Sequence, residues 1–265
     1  MNVPERGDWN GIGRLRRFAF YGLTGLFVAV VSLDFIHHLT DLPQDGGVHH
    51  VHVLMHAVAT GSLLVGMAAQ LRSPAQHVAA LQQGLVASVA GAALAAATGH
   101  LAVLPVAFIL VGGIVSFLHP SRAEILRPGH VNRALLVVTV LAAGPVLAYA
   151  AGQFRLQIEG ASPIHSSRGH FAVMGQVTVS LLLLLVVAAL GARGSRVPAW
   201  TSGVGAVVLG GISIVAPSDA SSLGVDWGTV AIAGGMIVLG ATEWQRRRSH
   251  PQPVARAAGR ARPVG

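Results

Sequence analysis

The chain has 265 residues, 52% of them hydrophobic and 11% charged, and a mean hydropathy of +0.62. A soluble domain carries about 25% charged residues, so this composition excludes a water-covered globule and predicts a membrane domain, with the lipid bilayer as its main partner. The net charge of +8 does not indicate nucleic acid, because the arginines lie in short connections between apolar runs and not on a water-exposed scaffold.

Residues 1–16 read as a short cytoplasmic segment. Arg14, Arg16 and Arg17 precede an apolar run that imitates a signal peptide, but the run ends in Asp34-Phe35-Ile36-His37-His38 with no small-x-small cleavage site, so it reads as an uncleaved first span. A span needs about 20 mostly apolar residues. The candidates are 17–36, 51–71, 78–98, 101–118, 132–151, 169–191, 198–216 and 226–244. The third and fourth come from one apolar stretch, Val78 to Leu118, which is too long for one crossing. A turn at Thr98-Gly99-His100 divides it and puts Pro105 in the first turn of the fourth span.

In the third span Gly84, Ser88, Ala92 and Ala96 form a small-residue stripe of the kind that lets helices approach closely in lipid. Pro145 interrupts the fifth. The last outer connection, Pro217 to Gly228, is punctuated as a defined turn, with Asp226 as the expected cap of the eighth span. Residues 245–265 are rich in Arg, Pro and Gly and read as a disordered basic cytoplasmic tail.

Charge placement sets the orientation. With eight spans, the arginines outside are Arg155 and Arg168, and the other arginines fall inside. The expected fold is therefore all-α: a polytopic bundle of eight transmembrane helices over 17–244, with both termini in the cytoplasm. The first and fifth spans are each followed by a loop of similar length, and His52 and His56 match His170 and Met174 in spacing. This suggests a 4+4 tandem repeat. All basic residues are Arg, which with the abundance of Ala, Gly and Val indicates a GC-rich bacterial genome and hence a bacterial inner membrane.

The chain has no cysteine, which excludes disulfides, thiolate metal sites, iron–sulfur clusters and cysteine nucleophiles. Histidine is abundant instead, with 13 residues. His37, His38, His49, His50, His52, His56, His100, His165 and His170 fall at the outer face of this topology. His49, His52 and His56 share one helical face, which runs into the bilayer. A deep His56 needs a partner, and Asp34 is the candidate. Imidazole with carboxylate suits Zn, Cu or Fe.

The expected metal ligands are Asp34, His38, His49, His52, His56, His170 and Asp219. His165 and Asp226 are available on the same face, and Met174 is a soft ligand for copper. The main alternative is haem b, with His56 and His170 as axial ligands. Others are a metal-dependent enzyme acting on a lipid-like substrate and a non-catalytic pH sensor. His119, before Pro120, reads as structural, capping carbonyls at an inner helix end.

His119-Pro120 with its basic loop, Gly169-His170, and Ser221-Ser222-Leu223-Gly224 with Trp227-Gly228 resemble a family of bacterial multi-pass membrane proteins of unassigned function, over most of residues 100–244. That resemblance implies no activity. More loosely, His52/His56 and His165/His170 resemble the histidine boxes of membrane fatty-acid hydroxylases and desaturases, which implies a di-iron site; Asp34 stands where the first histidine of a box would be. The same spacing is similar to that of ceramidase-type and adiponectin-receptor-type hydrolases, which place the motif in their last span and not in their second.

Overall fold

The computed structural model describes residues 13–41, 50–97, 103–167 and 169–249. Among the described residues there is no strand. The helices are α1 (Arg14–Asp41), α2 (His50–Arg72), α3 (Val78–Ala97), α4 (Val103–Leu118), α5 (Arg133–Glu159), α6 (Pro163–Ser167), α7 (His170–Ala189), α8 (Arg196–Val215) and α9 (Gly224–Ser249). Six of them, α1, α2, α5, α7, α8 and α9, are long and apolar enough to cross a membrane. The other two main helices contribute shorter apolar stretches, Val78–Ala93 and Ala107–Leu118. The long apolar run divides as expected, with α3 ending at Ala97 and α4 starting at Val103.

Helix α1 packs on α2, α2 on α3, α3 on α4, and α4 returns to α1. The second half repeats this order: α5 on α7, α7 on α8, α8 on α9, and α9 back to α5. The halves meet where α2 and α3 contact α7 and α8. Helix α7 is the most enclosed of the six long helices, and α5 and α9 are the least. Large apolar side chains such as Leu33, Val140, Leu141 and Ile237 point away from the protein. Such a surface is stable against lipid and not against water.

Several polar groups inside the helices are bonded to backbone. Thr24 donates to Phe20 O, Ser88 to Gly84 O and Thr139 to Leu135 O, one turn back in each case. Gln83 donates to Ser62 O at 2.6 Å and to Thr201 Oγ1 at 3.1 Å, which ties α3 to α2 and α8.

The tightest helix approach is between α8 and α9. A Cβ at Gly203 would lie 2.9 Å from the Leu239 side chain and 3.1 Å from Gly235 O, and one at Gly228 would lie 2.9 Å from Gly210 O. On α3, where the stripe was expected to matter, a Cβ at Gly84 would meet Met67 Sδ at 3.3 Å. From the other side, a Cβ at Gly66 of α2 would lie 2.7 Å from Ala80 O and 3.4 Å from Gly84 N, so α2 and α3 also approach closely at the stripe.

The two ends of the bundle differ chemically. At the arginine end, Arg16 donates to the carbonyls of Phe117 (2.9 Å), Leu118 (3.2 Å) and His119 (3.2 Å), capping the C-terminus of α4. His119 is fully buried; its Nε2 donates to Pro74 O at 3.2 Å and its Nδ1 accepts from Ser121 N at 3.0 Å. Burial pushes its pKa down to about 4. The expected structural role of His119 therefore stands, although the cap on α4 itself is Arg16. Arg196 and Arg246 both bind Glu243, which also accepts from Trp200. Helix α9 continues past Trp244 to Ser249, with the Arg248 guanidinium 4.7 Å over the Trp244 ring. Residues 250–265 lie outside the described residues.

Candidate metal centre

The opposite end of the bundle holds most of the histidines among the described residues. Helix α5 is the element that shapes it. It continues eight residues beyond the expected end at 151 and closes on Gly160, at φ 63°. The backbone N–H groups of Gly160 and Ala161 donate back to Gln157 O and Leu156 O. The extension lifts Gln153 and Gln157 to the level of the next helices. Gln157 donates to Ser166 O at 2.8 Å and accepts from Ala172 N at 3.3 Å. One side chain thus clamps the joint between α6 and α7, and with it the positions of His165 and His170.

One ring nitrogen from each of His52, His165 and His170 lies within 4.8 Å of the others. The rings of His52 and His170 are stacked, with centroids 5.0 Å apart and 28° between planes. His165 is 4.9 Å from His52 and 5.7 Å from His170. His52 and His165 are buried. Phe171, also buried, stacks on His165 at 5.4 Å and meets the His52 ring edge-on at 6.0 Å.

Hydrogen bonds orient the rings. Ser221 Oγ donates to Gln153 Oε1 at 2.7 Å, which uses its single proton. Its contact with His52 Nε2 at 2.8 Å therefore has the imidazole N–H as donor. The neutral ring then keeps its lone pair on Nδ1, an atom shielded from solvent. Tyr149 fixes the same loop by donating to Ser221 O at 2.6 Å. His165 Nδ1 is engaged by Ser162 Oγ at 2.9 Å. Orienting partners of this kind accompany metal-binding imidazoles and raise their basicity.

Three imidazoles suit Zn, Cu, Fe or Ni. Metal–nitrogen bonds of about 2.0–2.1 Å put tetrahedral ligand atoms roughly 3.3 Å apart, so the rings would draw in slightly around an ion. The donor set fits a transition metal.

The structure sorts the expected ligands. His52 and His170 converge. His165, named in the sequence only as available, is the third member. His56 lies beside the group, its ring 6.2 Å and 74° from His170. Its Nδ1 donates to His52 O at 3.1 Å. His38 stacks on His56 with centroids 4.9 Å apart and 10° between planes. Asp34, expected to partner His56, acts on that ring through its charge, and its Oδ2 lies 3.7 Å from His38 Nδ1. Asp219 Oδ2 accepts from Val51 N at 3.4 Å, which places it at the start of α2 and not in the trio. Met174 is buried in the apolar cluster with Val51, Met55 and Val177. Asp226 is an exposed residue in the first turn of α9, which starts at Gly224, so it is not the N-cap. His49 and His100 lie outside the described residues.

Sequence reasoning missed Ser221, Gln153, Gln157 and Tyr149. Nothing in their local pattern marks them as orienting residues, and Ser221 stood out only within the punctuated turn and the family resemblance. That turn is well defined: Leu223 N donates to Ser213 Oγ, Ser222 Oγ to Ser213 O, and Gly224 N to Ser222 Oγ.

Comparison with protein families, with curated proteins and with solved structures finds no match for this chain.

Proposed function

We propose that this chain is a bacterial inner-membrane protein that holds a transition-metal ion at its extracytoplasmic face, for metal handling or metal-dependent redox chemistry. The observation that carries this is the convergence of His52, His165 and His170 from α2, α6 and α7. The eight-span topology with both termini inside is supported by the separation of arginine and histidine ends. The repeated neighbour order of the two halves supports the 4+4 repeat. In that reading His52 and His170 are equivalent residues of the two repeats, meeting where the halves join.

A transition-metal ion held by His52, His165 and His170 would supply Lewis-acid or one-electron chemistry at this end. The chain's own residues bind, orient and shield. Ser221 with Gln153 fixes the His52 tautomer, Ser162 fixes His165, and Phe171 keeps the two rings in place. Handling at the face is favoured over passage through the membrane, because no Asp, Glu, Lys or Arg falls near the centre of any span. The haem alternative is served less well, because His170 stacks on His52 and meets His56 only at a distance and at an angle.

Elemental analysis and an absorption spectrum of detergent-purified protein test the proposal. A first-row metal is expected, and the double substitution His52→Ala, His170→Ala should release it while the protein stays monodisperse. Protein that takes up no metal, or keeps it fully after that substitution, overturns the reading. A haem Soret band would favour the alternative.

A further inference from the structure

We infer that one water molecule is bound at the middle of the bundle, where the two halves meet, and that it joins α2 to α7 beneath the histidine group. Its residues are separate from that group. A cavity of about 30 Å³ lies there, lined by Ala59 and Ser62 of α2, Ala87 of α3, and Gln176, Val177 and Ser180 of α7. Ser62 lies midway along α2 and Ser180 midway along α7, so the cavity sits near the centre of both expected spans.

Ser180 is the decisive residue. Its Oγ is buried and has no protein partner. Other buried hydroxyls on the helices are bonded: Ser88, Thr139 and Thr242 donate to the carbonyl one turn back, and Ser202 donates across to Leu181 O. A hydroxyl buried without a partner costs free energy, and a bridging water removes that cost. The same cavity supplies further partners for the water. Ser62 Oγ gives its proton to Ala59 O at 2.7 Å and keeps lone pairs with which to accept. Gln176 brings an amide that both donates and accepts. With Ser180 this makes the set of roughly three polar partners that a buried water typically has.

Size and charge select the occupant. A volume of about 30 Å³ is the share of one water in the liquid. A hydrocarbon chain is too large for it. No charged side chain lines it, so an ion there would be uncompensated. The water adds a polar link between the two helices that carry His52 and His170.

Water-edited solid-state NMR of the full-length protein in lipid bilayers, with carbon-13 in the alanine methyls, reads the site directly. Magnetisation from water should reach Ala59 and Ala87 well before Ala142, which lies in the apolar part of α5 and does not line the cavity. Build-up at both methyls as slow as at Ala142 overturns the inference. This reading is made on the parent and stands whether or not a variant folds. Ser180→Ala removes one partner of the water, so the thermal midpoint in detergent should fall by a few degrees. A hydroxyl with no partner at all would be better removed, and a raised midpoint overturns the inference. Gln176→Leu should also lower the midpoint, and the double substitution should cost less than the sum, because both side chains bind the same molecule. Strictly additive losses overturn the shared water. Metal-free protein should give the same NMR result, so the water and the metal site fail independently.

Discussion

The imidazoles of His52 on α2 and His170 on α7 lie stacked across the junction of the two four-helix halves, 5.0 Å apart. Neither half holds the site alone, so the histidine end depends on how the halves dock. Contacts far from the histidines should therefore influence it.

Ser221→Ala removes the acceptor of the His52 N–H and the donor to Gln153. The loss of such an orienting partner typically weakens metal affinity about 10–100-fold. The buried N–H left behind costs about 1–3 kcal/mol of stability. Competition titration with a chelator should show weaker binding at unchanged stoichiometry. Parent-like affinity in this variant would mean that Ser221 does not orient the ring.

Gly210→Leu forces a side chain into the backbone of α9 at Gly228 and Ile232. Overpacking typically costs about 1–3 kcal/mol, and more is expected here because the obstacle is backbone. The thermal midpoint in detergent should fall clearly. Gly211→Ala is the control, since a Cβ there meets nothing within 4 Å. Equal midpoints for the two variants would argue against the close α8–α9 approach.

His119 gives a pH dependence with a definite sign. Its pKa falls from 6.5 to about 4 on folding because the ring is buried. Between those values the unfolded chain binds a proton that the native protein refuses, so stability falls as pH drops from 6.5 towards 4 and levels off below. The loss is about 3 kcal/mol at most. Comparing stability profiles of the parent and His119→Asn isolates this share. Profiles that run parallel across the window would show that His119 titrates normally.

The orientation can be read by labelling, since the chain has no native cysteine. Ser167→Cys lies exposed at the histidine end and Ala123→Cys exposed at the arginine end. In intact cells a membrane-impermeant maleimide should label the first and reach the second only after lysis. The opposite pattern would invert the topology.

Much of the fold was legible in the sequence. The membrane class, the division of 78–118 into two helices and the separation of arginines from histidines all follow from composition within short windows. Less of the site was legible. His52 and His170 stood out by spacing, but Asp34 proved to be the neighbour of His38, and Asp219 sits at the start of α2. Helix α5 outlasted its apolar stretch by eight residues and ends where Gly160 supplies the left-handed cap.

The sequence by itself determined that the chain has membrane-like helices and that most of its imidazoles fall at one end. Transfer into lipid is decided by about 20 consecutive residues at a time, and charge asymmetry by short connections. Only the tertiary structure decided which imidazoles converge and which nitrogens they present. Convergence depends on helix rotation and depth, set by distant contacts such as Gly210 against Gly228 and Gln157 against the α6–α7 joint. The tautomer of His52 depends on Ser221, 169 positions away along the chain.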